Sequence, residues 1–260
     1  MSTQGTTADT PIGADAAPPL LELRGVDAGY GPFRALFGVS FQVPVGSVVA
    51  LLGANGAGKT TVARVCSGLL HATAGTVELG GVDVTTAHAY QIARLGVTHS
   101  PEGRSVFASL TVEENLNLAF RAQLGKRGVA DALARAYELF PRLGERRGQL
   151  AGTLSGGEQR MLALARVLVR PPKLLIADEL SLGLAPIVVD EVYANLAQIR
   201  AAGTSLLLVE QYVHHALGLA DHVVLLDKGQ VAFDGPSDEL GDLAEQMIAG
   251  ADGSGSGSEE

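Results

Sequence analysis

The 260-residue chain is poor in cysteine, in aromatic residues and in long hydrophobic runs. Its one cysteine, Cys66, excludes an intramolecular disulfide and a cysteine-based metal cluster, and is typical of a reducing compartment. There is no tryptophan, and aromatic residues make up only 5% of the chain. Although the mean hydropathy is +0.23, the longest apolar runs, such as 48–52 and 206–209, are far shorter than the roughly 18 residues of a membrane helix. We therefore expect no membrane-spanning segment.

Basic residues are also few, because 19 Lys and Arg stand against 28 Asp and Glu and give a net charge of −9. A general nucleic-acid-binding protein needs a basic surface for phosphate contacts, so the charge argues against nucleic acid as a partner. The first residues lack the basic and apolar regions of a secretory signal. Residues 1–18 and 250–260 have the composition of disordered tails, and they flank one predicted domain over 19–249.

Short apolar segments recur along most of the chain. The segments that they predict as strands are 20–23, 38–43, 48–52, 174–177, 205–209 and 222–226. One helix is predicted to begin near Gly58, and another over 186–200, with Pro186 in its first turn and Gly203 past its end. Alternation of strands and helices is typical of a mostly parallel α/β sheet.

Helical patterns dominate between about 86 and 160. Thr111 and Glu114 have the spacing of a capping box, which predicts a helix start, and a second helical stretch covers 130–140. We therefore expect a helical subdomain, at about 86–160, inserted between strands of the sheet.

A complete phosphate-binding motif, G-x-x-x-x-G-K-[ST], follows the predicted strand 48–52. Its residues, with the threonine that follows, are Gly53, Ala54, Asn55, Gly56, Ala57, Gly58, Lys59, Thr60 and Thr61. Glycines let successive N–H groups close around phosphate oxygens, and the N-terminus of the following helix adds positive potential. Lys59 is predicted to bridge the β- and γ-phosphates, and the Thr60 hydroxyl to hold Mg²⁺. The motif predicts a nucleotide site, and does not by itself fix the function.

Two carboxylates, Asp178 and Glu179, end a predicted apolar strand and fit a Walker B element. In such an element Asp178 would orient Mg²⁺ and its waters, and Glu179 would polarise the attacking water. The segment LSGGEQ at 154–159 supports the assignment of Asp178 and Glu179 to a Walker B element. Ser155 and Glu158 form a second capping box there, which predicts a helix running to Val169, whose start presents N–H groups and a hydroxyl to an anion.

The segment LSGGEQ is the signature of the ATP-binding cassette (ABC) ATPases, and the chain resembles this family over about 20–249. The resemblance implies a P-loop NTPase fold of the ABC ATPase type, with a RecA-like core, an antiparallel β subdomain and an inserted helical subdomain. It also implies a head-to-tail pair of cassettes, in which the signature of one completes the ATP site of the other. The signature positions that would contact the partner's ATP are Ser155, Gly156, Gly157 and Glu158. By the same resemblance Tyr30 stacks on adenine, although a turn tyrosine without a ligand is the alternative.

Four positions depart from the common cassette pattern. Glu102 stands at the Q-loop in place of glutamine, where its carboxylate can still offer an oxygen to Mg²⁺. Gln211 stands at the switch position in place of histidine, and it can donate a hydrogen bond but cannot become a cation. Ala185 replaces the D-loop aspartate, and Leu180 replaces the proline after the catalytic glutamate.

The combination of PEGR, SLGLAP and VEQ in these loops resembles one ATPase subunit of branched-chain amino acid importers. This resemblance implies ATP hydrolysis with ATP and Mg²⁺ as cofactors, and catalytic roles for Glu179, Gln211 and Lys59. It also implies a second ATPase subunit, identical or different, two transmembrane permeases, an extracytoplasmic substrate-binding protein, and a peripheral location on the cytoplasmic face of the membrane. Importers of short amides or urea share much of the pattern, so the solute stays open.

Two smaller sets of residues have alternative interpretations. Val106, Phe107 and Leu110 lie where a permease docks in the family, or they pack the helical subdomain. His214 and His215 are predicted to be surface residues of the helix after the switch position.

Functions other than import are compatible with parts of this pattern. A catalytically weak regulatory cassette is favoured by Glu102, Ala185 and Gln211, and disfavoured by Glu179. An exporter of lipids is a rival within transport. A soluble cassette ATPase of translation or repair usually carries two cassettes or a long coiled-coil insertion, and the sequence shows neither.

Overall fold

The computed structural model describes residues 18–100, 106–168, 171–211 and 213–240. The strands are β1 (Leu21–Tyr30), β2 (Phe33–Val43), β3 (Val48–Leu52), β4 (Ala74–Leu79), β5 (Val82–Asp83), β6 (Val97–Ser100), β7 (Leu174–Asp178), β8 (Ser205–Glu210), β9 (His222–Asp227) and β10 (Gln230–Pro236). The α-helices are α1 (Lys59–Cys66), α2 (Ala89–Arg94), α3 (Val112–Leu124), α4 (Val129–Leu139), α5 (Pro141–Glu145), α6 (Gly156–Leu168), α7 (Pro186–Ala201), α8 (Val213–Leu217) and α9 (Ser237–Leu240). The predicted tails, apart from Pro18, and the predicted Q-loop residue Glu102 lie outside the described residues.

Six strands form the main sheet in the order β10-β9-β3-β8-β7-β6. All its neighbouring pairs are parallel except β9 with β10, which is antiparallel. Every residue of β3, β7 and β8 is buried, which explains why these strands contain continuous apolar runs and not an alternating pattern. The predicted parallel α/β sheet is confirmed.

The two faces of this sheet pack into different hydrophobic cores. Ala50 and Leu52 of β3 join a core with the helices α3 to α7, whereas Val49 and Leu51 join a core with α1 and the second sheet. The side-chain period of two in a strand produces this division. Cys66 is buried in the second core, and burial raises the pKa of its thiol to about 12, so the reactive thiolate is disfavoured.

The second sheet is antiparallel, in the order β2-β1-β4-β5, and confirms the expected β subdomain. Strands β1 and β2 are longer than predicted. β1 continues past its predicted end at Leu23 to Tyr30, and β2 begins at Phe33 instead of Gly38. The reason is an irregularity in the pairing of β1 with β2 between Leu23 and Val26, where Gly25 adopts a φ of 59°. Because the alternation of apolar and polar residues is interrupted there, the sequence pattern does not indicate that the strand continues.

Helices α3, α4 and α5 follow one another and pack with α6 around buried residues such as Leu116 and Phe120. The capping box that begins α3 is confirmed, because Glu114 N–H donates to Thr111 Oγ1 (3.2 Å) and Thr111 N–H donates to Glu114 Oε2 (2.8 Å). Strand β6 lies inside the range 86–160 that was predicted as helical subdomain, yet it pairs with β7 and belongs to the main sheet.

Helix α7 begins at Pro186, as predicted, and ends one residue beyond the predicted end. Gly203 follows it with a φ of 93°, a backbone conformation that glycine adopts without steric cost. Across the described ranges, no helix combines the length and the apolar character needed to cross a membrane.

Candidate active site

Three neighbouring strands of the main sheet end at the same edge. Leu52 at the end of β3 pairs with Glu210 at the end of β8, and β7 pairs with β8 up to Asp178. Ligands of open α/β sheets bind outside the carboxyl ends of the strands. The structure thus brings the phosphate motif after β3, Gln211 after β8 and Glu179 after β7 to one edge of the sheet.

The backbone of the phosphate motif requires glycine at particular positions. Gly53, Gly56 and Gly58 have φ values of 154°, 79° and 107°. A Cβ atom on Gly53 would lie 2.4 Å from the carbonyl oxygen of Leu226, so even alanine would force the loop to shift. Gly58 precedes α1, and no side-chain hydrogen bond caps the start of this helix in the structure. The loop therefore leads into a helix N-terminus whose N–H groups suit an anion.

Lys59 is almost completely buried, with 3% of its surface exposed. Its ammonium group donates hydrogen bonds to the carbonyl oxygens of Gly53 (2.8 Å) and Ala54 (3.1 Å), and Nζ lies 3.9 Å from Oε1 of Glu179. A buried cation needs such partners, because removing it from water is costly. The loop's own carbonyls hold the positive charge in place, beside the carboxylate that the sequence predicts as catalytic.

Asp178 presents buried oxygen atoms that lack hydrogen-bond partners. The residue is 1% exposed, and neither Oδ atom has a hydrogen-bond partner in the described part of the chain. Nε2 of His99 lies 3.8 Å from Oδ2, which is beyond hydrogen-bond distance. An uncompensated buried carboxylate is costly, and a cation coordinated by Asp178 would remove that cost.

The residues at this edge fit Mg²⁺. Thr60 lies in the first turn of α1, next to Lys59, and a hydroxyl with a carboxylate is a hard-oxygen donor set of the kind that Mg²⁺ takes. No group of three or more His, Cys, Asp or Glu side chains in the described ranges could hold a metal ion. Mg²⁺ is usually held by one or two protein ligands together with phosphates and water, and Thr60 with Asp178 would supply two such ligands.

Glu179 has an unusual backbone conformation, with a φ of 48°. Its N–H donates to the carbonyl oxygen of Val209 (2.8 Å), and its own carbonyl oxygen accepts a hydrogen bond from Nη1 of Arg160. Nη2 of the same arginine donates to the carbonyl oxygen of Leu182 (2.7 Å). A left-handed conformation in a residue other than glycine costs about 1–3 kcal/mol and persists when surrounding contacts determine it.

The signature segment begins α6, as predicted. Ser155 N–H and Oγ each lie 2.9 Å from Oε2 of Glu158, and Glu158 N–H donates to Ser155 Oγ (3.3 Å), so the second capping box is confirmed. Burial alone would raise the pKa of Glu158, but hydrogen bonds from Ser155 and the charges of Arg146 and Arg142 lower it below the ordinary value. Ser155 and Gly156 are exposed, and can meet a ligand from outside the chain.

The two glycines of the signature have different surroundings. A Cβ atom on Gly157 would lie 2.5 Å from Cγ1 of Val188, so glycine is needed there for the close approach of α6 to α7. A Cβ atom on Gly156 would meet only Leu184, at an ordinary 3.8 Å. Packing therefore explains Gly157, and no packing contact explains Gly156.

Tyr30 lies at the end of β1, beside the helix that follows the phosphate motif. Its hydroxyl oxygen accepts a hydrogen bond from Nη1 of Arg64 in α1 (3.0 Å), and the guanidinium carbon lies 5.7 Å from the ring centroid. The ring is 42% exposed, which leaves surface available for stacking.

The departures from the common cassette pattern occupy distinct environments. Leu180 is buried in the core with α3 to α7, and Ala185 precedes α7 without a side-chain hydrogen bond to the helix start. Gln211 is partly exposed. His214 is exposed and His215 is partly exposed in α8, which confirms the predicted surface positions.

Sequence reasoning missed His99, Arg160 and Glu210. Arg160 and Glu210 hold the loop after β7, and their partners lie 19 to 29 positions away in the chain. No local spacing rule reveals such contacts. The available signal is the position of Glu210 directly after four apolar residues of β8, where a charged residue needs a partner.

Comparison with known proteins identifies the family. The model of the family described as ABC transporter matches residues 36–181. The chain is 42% identical over 222 residues to the high-affinity branched-chain amino acid transport ATP-binding protein BraG of Pseudomonas aeruginosa, covering 82% of this chain and 91% of BraG. It is 38% identical over 216 residues to the probable branched-chain amino acid transport ATP-binding protein LivF of Archaeoglobus fulgidus, covering 83% of this chain and 91% of LivF.

The fold is shared with solved structures of the same family. The ADP conformation of an ATP-binding cassette of an ABC transporter matches with a TM-score of 0.77 and 24% identity, covering 90% of this chain and 98% of that one. An ATP-binding cassette is indicated by the family match, by the two relatives and by the site at the carboxyl edge of the sheet. The chain belongs to the ABC transporter family, as an ATP-binding cassette that hydrolyses ATP.

Proposed function

We propose that this chain energises the uptake of branched-chain amino acids, as one ATPase subunit of an importer. The main support for this substrate class is the similarity to BraG and LivF, which extends over 91% of each relative. The departures at Gln211 and Ala185, within the segments VEQ and SLGLAP, point to the same subfamily.

The proposed chemistry follows from the juxtaposition of Lys59 and Glu179, whose charged atoms lie 3.9 Å apart. Residues 53–61 bind the phosphates, and Lys59 contacts the β- and γ-phosphate oxygens. Thr60 and Asp178 hold Mg²⁺, which, when bound, neutralises charge on the phosphate oxygens. Glu179 accepts a proton from a water whose oxygen bonds to the γ-phosphorus, as the bond to the β-phosphate oxygen breaks and ADP leaves.

Nucleotide specificity and the switch role involve residues at the border of this site. Tyr30 supplies a ring for the adenine, held by Arg64. Gln211 follows the strand next to the phosphate motif, and its amide donates a hydrogen bond toward the γ-phosphate. Glu102 lies outside the described residues, and its role as a further oxygen ligand for Mg²⁺ is proposed from its sequence position alone.

A second cassette completes the site. The start of α6 is exposed at Ser155 and Gly156, and this helix N-terminus suits a phosphate that is bound by the partner cassette. The partner is proposed to be the second, different ATPase of the importer. Two cassettes then close on two ATP molecules and separate after hydrolysis.

The permeases are proposed to dock beside β6 on the cytoplasmic side of the membrane. A cavity of about 1060 Å³ opens there, lined by β6, by α3 and α6 and by residues 171–173. Arg166 lines this cavity and lies over the ring of Phe107, which is 50% exposed, whereas Val106 packs on the helical core. Phe107 is therefore the better candidate for a permease contact.

The solute is tested with the assembled transporter in proteoliposomes, using this chain, its second ATPase, both permeases and the binding protein. Radiolabelled leucine, isoleucine and valine should accumulate in the presence of MgATP, and accumulation should stop with Glu179→Gln in this chain. Acetamide and urea serve as competing solutes. Uptake of either of these without uptake of leucine would show that the substrate class is wrong.

A regulatory cassette is the second candidate function, favoured by Ala185 and Gln211. In that case ATP hydrolysis by the heterodimer would survive Glu179→Gln in this chain and stop when the catalytic glutamate of the partner is changed. Loss of turnover with either change assigns hydrolysis to both sites.

A further inference from the structure

Glu210 is a buried acid at the end of β8 for which the proposed chemistry has no use. It is 3% exposed, and burial raises the pKa of its carboxyl, against the opposing effect of hydrogen bonds from Ser181. A buried charged or ionisable group is costly to keep. Its presence directly after four buried apolar residues of β8 therefore needs a reason.

Ser181 donates a hydrogen bond to each carboxylate oxygen of Glu210. Its N–H donates to Oε1 of Glu210 (3.1 Å), and its hydroxyl donates to Oε2 (2.7 Å). Ser181 is itself buried, at 4% exposure, and stands two positions after Glu179. The two hydrogen bonds fix the backbone and the side chain of Ser181 against the end of β8.

The segment between Glu179 and Leu182 is held from two sides. On one side β8 holds it through Glu210 and through the carbonyl oxygen of Val209, which accepts from Glu179 N–H. On the other side Arg160 of the signature helix donates to the carbonyl oxygens of Glu179 and Leu182. Such contacts explain how Glu179 keeps a φ of 48°.

We propose that Glu210 is a positioning residue for ATP hydrolysis, which acts through Ser181 to hold the loop that carries Glu179. Glu210 also precedes Gln211, so the same residue links that loop to the switch position. The proposal rests on the catalytic role proposed for Glu179. It requires no contact between Glu210 and the nucleotide.

The test measures turnover and nucleotide affinity separately in the assembled transporter. Glu210→Ala should lower kcat by about 10- to 100-fold, because a displacement of about 1 Å at a catalytic group costs up to about 100-fold. The affinity for MgATP, titrated with a fluorescent analogue, should change by less than about twofold, since Lys59 is held by its own loop.

Two further variants separate positioning from folding. Glu210→Gln should recover most of the lost kcat, because its amide oxygen accepts from Ser181 N–H while the Ser181 hydroxyl turns to accept from the amide NH₂. Ser181→Ala removes one of the two hydrogen bonds and should give a smaller loss of kcat. Combined with Glu210→Ala, it should add little, because the two residues act as a pair.

Glu114→Ala is the matched control. Glu114 also accepts from the N–H and the hydroxyl of a single residue, Thr111, but it lies at the exposed start of α3. Its loss should leave kcat within about twofold of the wild type. A similar fall in kcat for Glu114→Ala would show that the loss of a carboxylate contact far from the site lowers kcat equally, and would overturn the proposal.

Other outcomes are equally decisive. If Glu210→Ala keeps the wild-type kcat while Glu179→Gln is inactive, the role of Glu210 is overturned and the catalytic role of Glu179 stands. Wild-type kcat in Glu179→Gln would overturn the catalytic assignment, and this proposal with it. If Glu210→Ala does not fold, Ser181→Ala decides, since an unchanged kcat there would contradict positioning and a fall at constant affinity would support it.

Discussion

The phosphate loop, residues 53–61, holds Lys59 with carbonyl oxygens of the same loop, whereas the loop after β7 holds Glu179 with groups from α6 and β8. Both hydrogen bonds of the first arrangement lie within nine consecutive residues. The second needs Arg160 and Glu210, which come from distant parts of the chain. The lysine of the phosphate loop is thus held by local hydrogen bonds, and the proposed catalytic carboxylate is positioned by tertiary contacts.

This difference has a functional consequence. Changes inside the phosphate loop should weaken nucleotide binding, and changes around the loop after β7 should slow turnover at nearly constant affinity.

Glu179→Gln should lower turnover by about 10²- to 10⁴-fold, because the attacking water loses its general base. MgATP affinity should stay near the wild-type value, since the phosphate loop is unchanged. Phosphate release by the assembled transporter and titration with a fluorescent ATP analogue measure the two quantities. Weakened MgATP binding in this variant would contradict the assignment of nucleotide affinity to the phosphate loop and of turnover to the loop after β7.

Lys59→Ala should weaken MgATP binding by about 10- to 100-fold, the effect of losing charged hydrogen bonds worth about 1.5–3 kcal/mol. Lys126→Ala, on the 3₁₀ turn between α3 and α4, removes an equal charge away from the site and should bind normally. The same titration measures both variants. Wild-type affinity in Lys59→Ala would contradict the assignment of the phosphate loop.

Gly53→Ala should weaken ATP binding and lower the free energy of unfolding by about 1–3 kcal/mol, because of positive-φ strain and the 2.4 Å approach to Leu226. Gly56→Ala is the matched control, since its Cβ atom would meet nothing within 4 Å and only the strain of a φ of 79° remains. Urea denaturation compares the variants. Equal losses in both would show that the contact at Gly53 is unimportant.

Tyr30→Ala should weaken ATP binding by about two- to tenfold, the range of an aromatic contact worth about 0.5–1.5 kcal/mol. Binding of inorganic tripolyphosphate should not change, because the phosphate loop is intact. Tyr30→Phe keeps the ring and loses the hydrogen bond from Arg64, so it should bind ATP nearly as the wild type does. Equal weakening of ATP and tripolyphosphate would exclude adenine stacking.

Local chemistry explains what could be predicted from sequence. The phosphate motif, both capping boxes and the buried runs of β3, β7 and β8 depend on residues within a few positions of one another. The extension of β1 past Leu23 was missed, because a backbone irregularity near Gly25 breaks its alternation. Strand β6, with four residues, is too short to show a period.

The contacts around Glu179 could not be predicted for a different reason. Ser181 and Glu210 are 29 positions apart, and neither carries a local pattern that names the other. Only the parallel pairing of β7 with β8 brings them together. Long-range pairing of this kind follows from the whole fold and not from the composition of either segment.

The central position of β3 has a consequence for biosynthesis. β3 pairs on one side with β8, at Leu206 to Glu210, and on the other with β9, at His222 to Leu225. Both neighbours leave the ribosome more than 150 residues after β3, so the strand that precedes the phosphate loop stays unpaired during most of translation. An unpaired run of Val48–Leu52 is prone to association with other chains. We expect nascent chains that stop before β8 to lack ATP binding and to depend on chaperones for solubility.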